Sequence, residues 1–304
     1  EAFKNYCQYV TEQLGDLMHY VCTINEANMG IQVAAISARY RAQMMEKMQR
    51  MQQGGAEEKK DLEGTAQVGM NFNDMMANMQ KQKEENVEIF GTDTLQTFVS
   101  ARTPEGDMLV IRAHQAARAA MKAVKPELQI GLTLSLHDIQ AQEGGEETAA
   151  KEWVDEFTHY VPYIKEDDFF GLQNYSRSLI GPNGILPVPE GAEITQMDYE
   201  YYPEGLEHVI RRVYEEMPMP IMVTENGIAT ADDTRRVAYI QTAMNGVENC
   251  IQDGIPVKGY MYWSMMDNFE WQKGFGTFGL ISVDRTTQTR TAKPSLTVLG
   301  NYTK

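Results

Sequence analysis

Two glutamates occupy unusual positions in this chain. Glu26 follows the short apolar run Tyr20-Val21-Cys22-Thr23-Ile24 and Asn25, and Glu225 follows Ile221-Met222-Val223-Thr224 and precedes Asn226. Runs that short, without polar alternation, suit strands buried on both faces. Each carboxylate then stands at a strand end, where a charge is costly unless it is paired or used. Taken singly, either glutamate reads equally well as a structural ion pair or a helix cap. Taken together they suit a reaction in which two carboxylates flank one bond, and cleavage of a glycosidic bond is such a reaction.

The stretch Tyr262-Trp263-Ser264-Met265-Met266-Asp267-Asn268-Phe269-Glu270-Trp271 is the most specific in the chain, holding two of its three tryptophans. Sugar faces are apolar and their edges carry hydroxyls. A tryptophan ring can cover C–H groups while Glu270 and nearby amides take the hydroxyls. The competing reading places both rings in the core. It fits Trp271 poorly, because that residue sits in a polar loop with Glu270 and Lys273.

These residues need a frame. Ala2 to Leu14 is amphipathic and predicts a helix, followed by a strand at Tyr20 to Ile24. Beyond residue 108 helices and strands alternate: helix from Arg112, strand Gln129 to Ser135, helix from Glu147, strand Phe169 to Tyr175, helix from Leu206, strand Ile221 to Thr224, helix from Thr234, strand Val257 to Trp263, and a last helix from Ser295. Strict alternation argues for parallel strands with helical crossovers. Polar or aromatic residues (Asn25-Glu26, Gln173 to Tyr175, Glu225-Asn226, Trp263) fall at four of the five strand ends. Such placement marks the mouth of a (β/α)8 (TIM) barrel, although an open doubly wound sheet also binds ligands there. No glycine-rich phosphate loop opens a helix after a strand, which weighs against a nucleotide-binding sheet.

Between these parts lies a methionine-rich segment at about residues 43–108. Gly30 to Gln53 and Ala66 to Asn86 read as two helices around Gly54-Gly55, a helical hairpin carrying Met44, Met45, Met48, Met51, Met70, Met75, Met76 and Met79. Methionine at helical spacing points to packing within the molecule, and a partner interface is the alternative.

The formal net charge is −16, which repels a phosphate backbone and disfavours nucleic acid or anionic membranes as partners. No run of ~18 apolar residues suits a membrane span, and no opening segment reads as a signal peptide. Cys7, Cys22 and Cys250 form neither a disulfide framework nor a metal site, and His19, His114, His137, His159 and His208 show no ligand spacing. The expectation is a cytoplasmic protein with no cofactor and no metal.

The motifs resemble those of glycoside hydrolase family 1, the β-glucosidases. Thr23-Ile24-Asn25-Glu26-Ala27 resembles the T-x-N-E-P motif, Val223-Thr224-Glu225-Asn226-Gly227 resembles T-E-N-G, and Trp263 to Trp271 resembles W-S-L-L-D-N-F-E-W. Phe170 to Arg177 is similar to the family's G-V-N-Y-Y-T-R strand end. Phe278 to Asp284 and Thr291 to Ser295 are similar to its closing segment. The resemblance implies a retaining β-glycosidase acting on terminal glucosyl or galactosyl residues of small β-glycosides or oligosaccharides. It implies Glu26 as acid/base, Glu225 as nucleophile, and Asn25 at the sugar 2-hydroxyl. Tyr175 would hold Glu225, Trp263 would floor the sugar site, and Glu270 and Trp271 would bind the far hydroxyls. Gln173, counted among the substrate-binding positions, stands where the family usually has Asn. Gln272 to Thr277 lacks the Ser and Lys placement of relatives acting on 6-phosphosugars.

Two departures matter. Ala27 replaces the usual Pro, removing a stiff turn after Glu26. Residues 2–26 resemble the family's third helix and fourth strand, so three β/α units, roughly 90 residues or more, have no counterpart here. The expectation is one partial barrel domain over 1–304, about strands four to eight, with a helical insertion after strand four. Five strands leave two bare edges, which a second copy or a companion chain could cover. The alternative function is a non-catalytic sugar-binding or scaffold remnant of the same barrel.

Overall fold

A computed structural model describes residues 1–35, 38, 72–93, 100–270 and 273–302. The expected Gly54-Gly55 turn, the methionine side chains of the two expected helices and Trp271 lie outside the described residues.

Five strands form one sheet: β1 (Tyr20–Cys22), β2 (Gln129–Ser135), β3 (Phe169–Gln173), β4 (Ile221–Asn226) and β5 (Val257–Tyr262). All four pairings are parallel, and the order across the sheet is the order along the chain. A doubly wound sheet reverses direction partway, whereas a barrel winds one way. The unreversed order is therefore that of a partial (β/α)8 barrel. Among the described residues the helices of eight residues or more are α1 (Ala2–Leu14), α2 (Phe72–Phe90), α3 (Pro104–Val124), α4 (Glu146–Glu156), α5 (Gly205–Glu216), α6 (Asp233–Gln252) and α7 (Pro294–Asn301). None of the described helices is long and apolar enough to cross a membrane.

The centre of the sheet is buried on both faces, as its apolar runs predict. Ile130, Leu132, Leu134, Phe170, Leu172, Ile221 and Val223 are buried in β2, β3 and β4. The third tryptophan, Trp153 on α4, belongs to this core. Its ring packs against Phe157, 5.1 Å between centroids, and its indole N–H donates to Glu216 at 2.7 Å.

Several boundaries differ from those read in the sequence. α3 starts at Pro104 rather than Arg112, so the last residues assigned to the insertion form its first turn. Thr103 caps it, accepting from the Gly106 N–H at 3.2 Å, with Pro104 at the first helical position. This is the usual chemistry of a helix start. β3 stops at Gln173 and β4 continues to Asn226, which carries Glu225 inside a strand rather than beyond it. Two small sheets, Asp138–Ala141 with Arg177–Gly181 and Gly184–Ile185, and Ile281–Val283 with Arg290–Ala292, were not expected.

Candidate active site

The expected site residues gather at the C-terminal end of the sheet. Asn25 and Glu26 follow β1, Gln173 ends β3, Tyr175 lies two residues beyond it, Glu225 is near the end of β4, and Trp263 follows β5. Local devices fix each one.

Glu26 has φ 47°, a left-handed backbone conformation that costs a non-glycine residue about 1–2 kcal/mol and needs support from its surroundings. The turn after it supplies that support. Fully buried Asn28 donates to the carbonyls of Ser135 and Glu156 at 2.7 and 3.0 Å and accepts from the Ser135 N–H at 3.0 Å. The Ala27 N–H donates to the Thr133 carbonyl at 2.9 Å, and the Arg102 guanidinium donates to the Ala27 carbonyl. Proline has no N–H and could not make the bond to Thr133. The loss of the family's proline is thus matched by a hydrogen bond only another residue type allows, and the turn is anchored rather than loose.

Glu225 is aimed by an irregularity in its strand. Leu172 pairs with Val223, but the next pair is Gln173 with Glu225, so Thr224 is an extra residue on β4. A bulge of this kind redirects a side chain and is common beside active sites. The neighbouring Asn226 is wholly buried and structural. It donates to the Asn174 carbonyl at 2.6 Å and to the Tyr239 hydroxyl at 3.0 Å, and accepts from the Tyr260 hydroxyl at 2.8 Å. Gly227 lies so close to β5 that an added Cβ would sit 2.0 Å from the Trp263 carbonyl oxygen, which explains glycine after the Glu-Asn pair.

The side chains form a connected set. The Tyr175 hydroxyl donates to Glu225 Oε2 at 2.5 Å. Gln173 Nε2 donates to Asn25 Oδ1 at 2.7 Å, and the Asn25 amide is near enough to Glu225 to lower its carboxyl. The Trp263 indole N–H donates to Glu270 Oε1 at 3.0 Å, so the ring and the carboxylate are held as one unit.

Burial and the charge of Glu225 push the Glu26 carboxyl up to about 7. Burial also raises Glu225, and Glu270 adds to this, but hydrogen bonds from Tyr175 and Asn25 oppose it. The arrangement separates the pair: the ionised form of Glu225 is the one its partners stabilise, while the proton is kept on Glu26. Burial raises Glu270 as well, opposed by the bond from Trp263.

Sequence reasoning missed the residues that pack this set. Phe278 meets the Tyr175 ring edge-on at 6.2 Å, and Tyr199 lies 6.5 Å from it. The Tyr239 hydroxyl donates to the Tyr175 carbonyl at 3.2 Å. The aromatic run Tyr199-Glu200-Tyr201-Tyr202, within a stretch lacking helical or strand periodicity, was the available signal for Tyr199. Among the described residues no group of His, Cys, Asp and Glu could hold a metal.

Comparison with known proteins gives a consistent result. The family model described as glycosyl hydrolase family 1 matches residues 187–302, which include Glu225 and the Trp263–Glu270 stretch. A 1,4-β-D-glucan glucohydrolase of Thermotoga neapolitana is 37% identical over 147 residues, 43% of this chain and 33% of that relative. A crystal structure of the β-glycosidase BGL167 has a TM-score of 0.78 at 39% identity, covering 99% of this chain and 65% of that one. The apo structure of a β-glucosidase gives 0.79 at 33% identity, covering 99% and 66%. The match thus spans about a third of the length of the curated relative. With the parallel half-barrel and the paired carboxylates at its mouth, these likenesses show that the chain is similar to the β-glycosidases of glycosyl hydrolase family 1, whose family model its residues 187–302 match.

Proposed function

We propose that the protein is a retaining β-glycosidase that releases terminal glucosyl or galactosyl residues from small β-glycosides by double displacement. The observation that supports this most is the asymmetric carboxylate pair: one carboxyl raised to about 7 by burial and its neighbour's charge, the other held by hydrogen bonds to its ionised form.

In the first step a Glu225 oxygen forms a bond to the anomeric carbon as the glycosidic C–O bond breaks. Glu26 gives its proton to the leaving oxygen. The resulting ester at Glu225 carries no charge, so one of the two causes raising Glu26 disappears. Glu26 then becomes the stronger acid, and its carboxylate accepts a proton from the water that releases the sugar. Trp263 would lie under the sugar ring, with Glu270 oriented by the indole toward the hydroxyls. A non-catalytic sugar-binding role is the second reading, favoured by the half-open sheet, whose edge strands β1 and β5 carry exposed residues.

Incubation with a 2-deoxy-2-fluoro β-glucoside bearing a good leaving group, followed by intact mass measurement, tests both. One sugar added per chain, and none in Glu225→Ala, is the expected result. A well-folded protein that takes no label would leave the sugar-binding reading standing instead.

A further inference from the structure

Gln173 occupies the position where relatives usually carry Asn, and its surroundings define what it can do. It is fully buried, with no solvent-accessible surface. It sits opposite Glu225 across the β3–β4 pairing, at the bulge. Its Nε2 donates to Asn25 Oδ1 at 2.7 Å, and its Oε1 is buried with no hydrogen-bond partner among the described residues. A side chain closed off in this way cannot itself reach a sugar. Asn25 differs in being exposed at the mouth, while its amide also acts on Glu225 and lowers its carboxyl.

An asparagine amide has two ends of similar shape and opposite polarity, and its neighbours decide which end points where. Because Asn25 Oδ1 is committed to the Gln173 N–H, the end left to face Glu225 is the Nδ2 donor. With the amide reversed, a carbonyl oxygen would oppose the carboxylate. We propose that Gln173 is a positioning residue that fixes the orientation of the Asn25 amide and thereby keeps an N–H donor on Glu225. The buried, unpartnered Oε1 fits this assignment. Leaving a buried acceptor unsatisfied is unfavourable, and turning the Gln173 amide to satisfy it would reverse Asn25 as well.

The proposal rests on Glu225 being the nucleophile, and its test separates the two ideas. Four groups face Glu225: Glu26, Glu270, Tyr175 and Asn25. The protein is prepared with 13C-labelled glutamate carboxyls, Glu225 is assigned by its loss in Glu225→Gln, and its titration midpoint is followed by NMR. The native chain is compared with Gln173→Met, Gln173→Glu and Asn25→Ala, each checked for native thermal unfolding. Gln173→Met keeps the length but has no N–H. Gln173→Glu offers Asn25 an acceptor and so reverses its amide.

The expected result is an upward shift of the Glu225 midpoint in all three, largest in Gln173→Glu, where a carbonyl is turned onto the carboxylate. Labelling by the 2-fluoro sugar at a pH below the native midpoint should slow roughly tenfold in Gln173→Met, the scale of one hydrogen bond to a charged group. Gln173→Asn should restore part of the donor and move the midpoint back toward the native value. The idea is overturned if Asn25→Ala shifts the midpoint while both Gln173→Met and Gln173→Glu leave it unchanged. It is equally overturned if none of the three variants shifts it. Absence of labelling in the native chain would overturn the nucleophile assignment alone, because the titration is read without turnover.

Discussion

Glu26 carries two consequences of one physical fact. Its carboxyl is raised from 4.5 to about 7 by burial and by the charge of Glu225. As a general acid it works only while protonated, so kcat/KM is expected to fall on the alkaline side with a midpoint near 7. The same shift bears on folding. A carboxyl whose folded value lies above its unfolded one binds its proton more tightly in the native state. The stabilisation is complete below pH 4.5 and is lost as pH rises through about 7. The amount is about 3 kcal/mol. Glu26→Gln cannot lose a proton, so its stability measured by urea unfolding should gain about that much relative to the parent between pH 4 and pH 8. Parallel stability curves for parent and variant across that range would show that Glu26 is not raised. At this scale the sequence was informative about the groups that react. A carboxylate directly after a buried apolar run is conspicuous, and Glu26 and Glu225 stood out that way, while Trp263 stood out through its tryptophan-rich stretch. It was uninformative about the groups that hold them. Tyr260 reaches Asn226 and Tyr239 reaches Tyr175 across 34 and 64 residues of chain. No local pattern records such contacts, since they exist only once neighbouring strands and helices are assembled.

At the scale of elements, the turn after β1 shows how a departure from a family motif is absorbed. A reading based on motif alone takes Ala27 for a defect that proline would repair. The structure gives the opposite expectation. The Ala27 N–H donates to Thr133 at 2.9 Å, and Ala27 is fully buried. Ala27→Pro would remove that donor and leave a buried carbonyl without its partner, costing about 1–3 kcal/mol. Denaturant unfolding should therefore find Ala27→Pro less stable than the parent, and labelling of Glu225 should slow because Glu26 shifts with its turn. A variant as stable as the parent or more so would mean the proline is tolerated and the anchoring bond counts for little. The same contrast between local and assembled information explains which elements could be read. The central strands were legible because strands buried on both faces must be apolar throughout. The start of α3 was obscured because its first turns hold Gly106 and acidic residues, and only the Thr103 cap with Pro104 marks the true beginning. The small sheets escaped notice because strands of two to five residues carry too little periodicity to register. Barrel and doubly wound sheet could not be separated by alternation, since both alternate. The unreversed strand order decided it.

At the scale of the whole molecule, the sheet has two ends. β1 pairs only with β2 and β5 only with β4 among the described residues. Unpaired edges of parallel strands are ready to add further strands, and apolar side chains cluster beside both. Leu17 is 81% and Tyr20 49% exposed at the first edge, with Tyr6 and Tyr9 on the adjoining helix at 63% and 61%. At the second edge Met261 is 52% exposed and Met265, just beyond the strand, 64%. The superposed β-glycosidase extends well past what this chain covers, since the match takes in 65% of it. Cover of both edges, by further β/α units or by a second copy, is therefore an expectation that can be tested. Hydrogen exchange offers a direct check on the chain alone. Amides of β2, β3 and β4 should be the slowest, and those of Tyr20–Cys22 and Val257–Tyr262 should exchange many times faster despite belonging to the same sheet. Adding a polypeptide made of the first three β/α units of a family 1 relative should slow the two edges selectively and leave the centre unchanged. Sedimentation of the chain alone decides between the two kinds of cover. A particle larger than one chain, reduced to a single chain by Leu17→Lys with Tyr20→Lys, would identify a second copy as the occupant. A single chain whose edge amides are already as slow as those of β3 would mean that the edges are closed within the molecule, and the need for added strands would disappear.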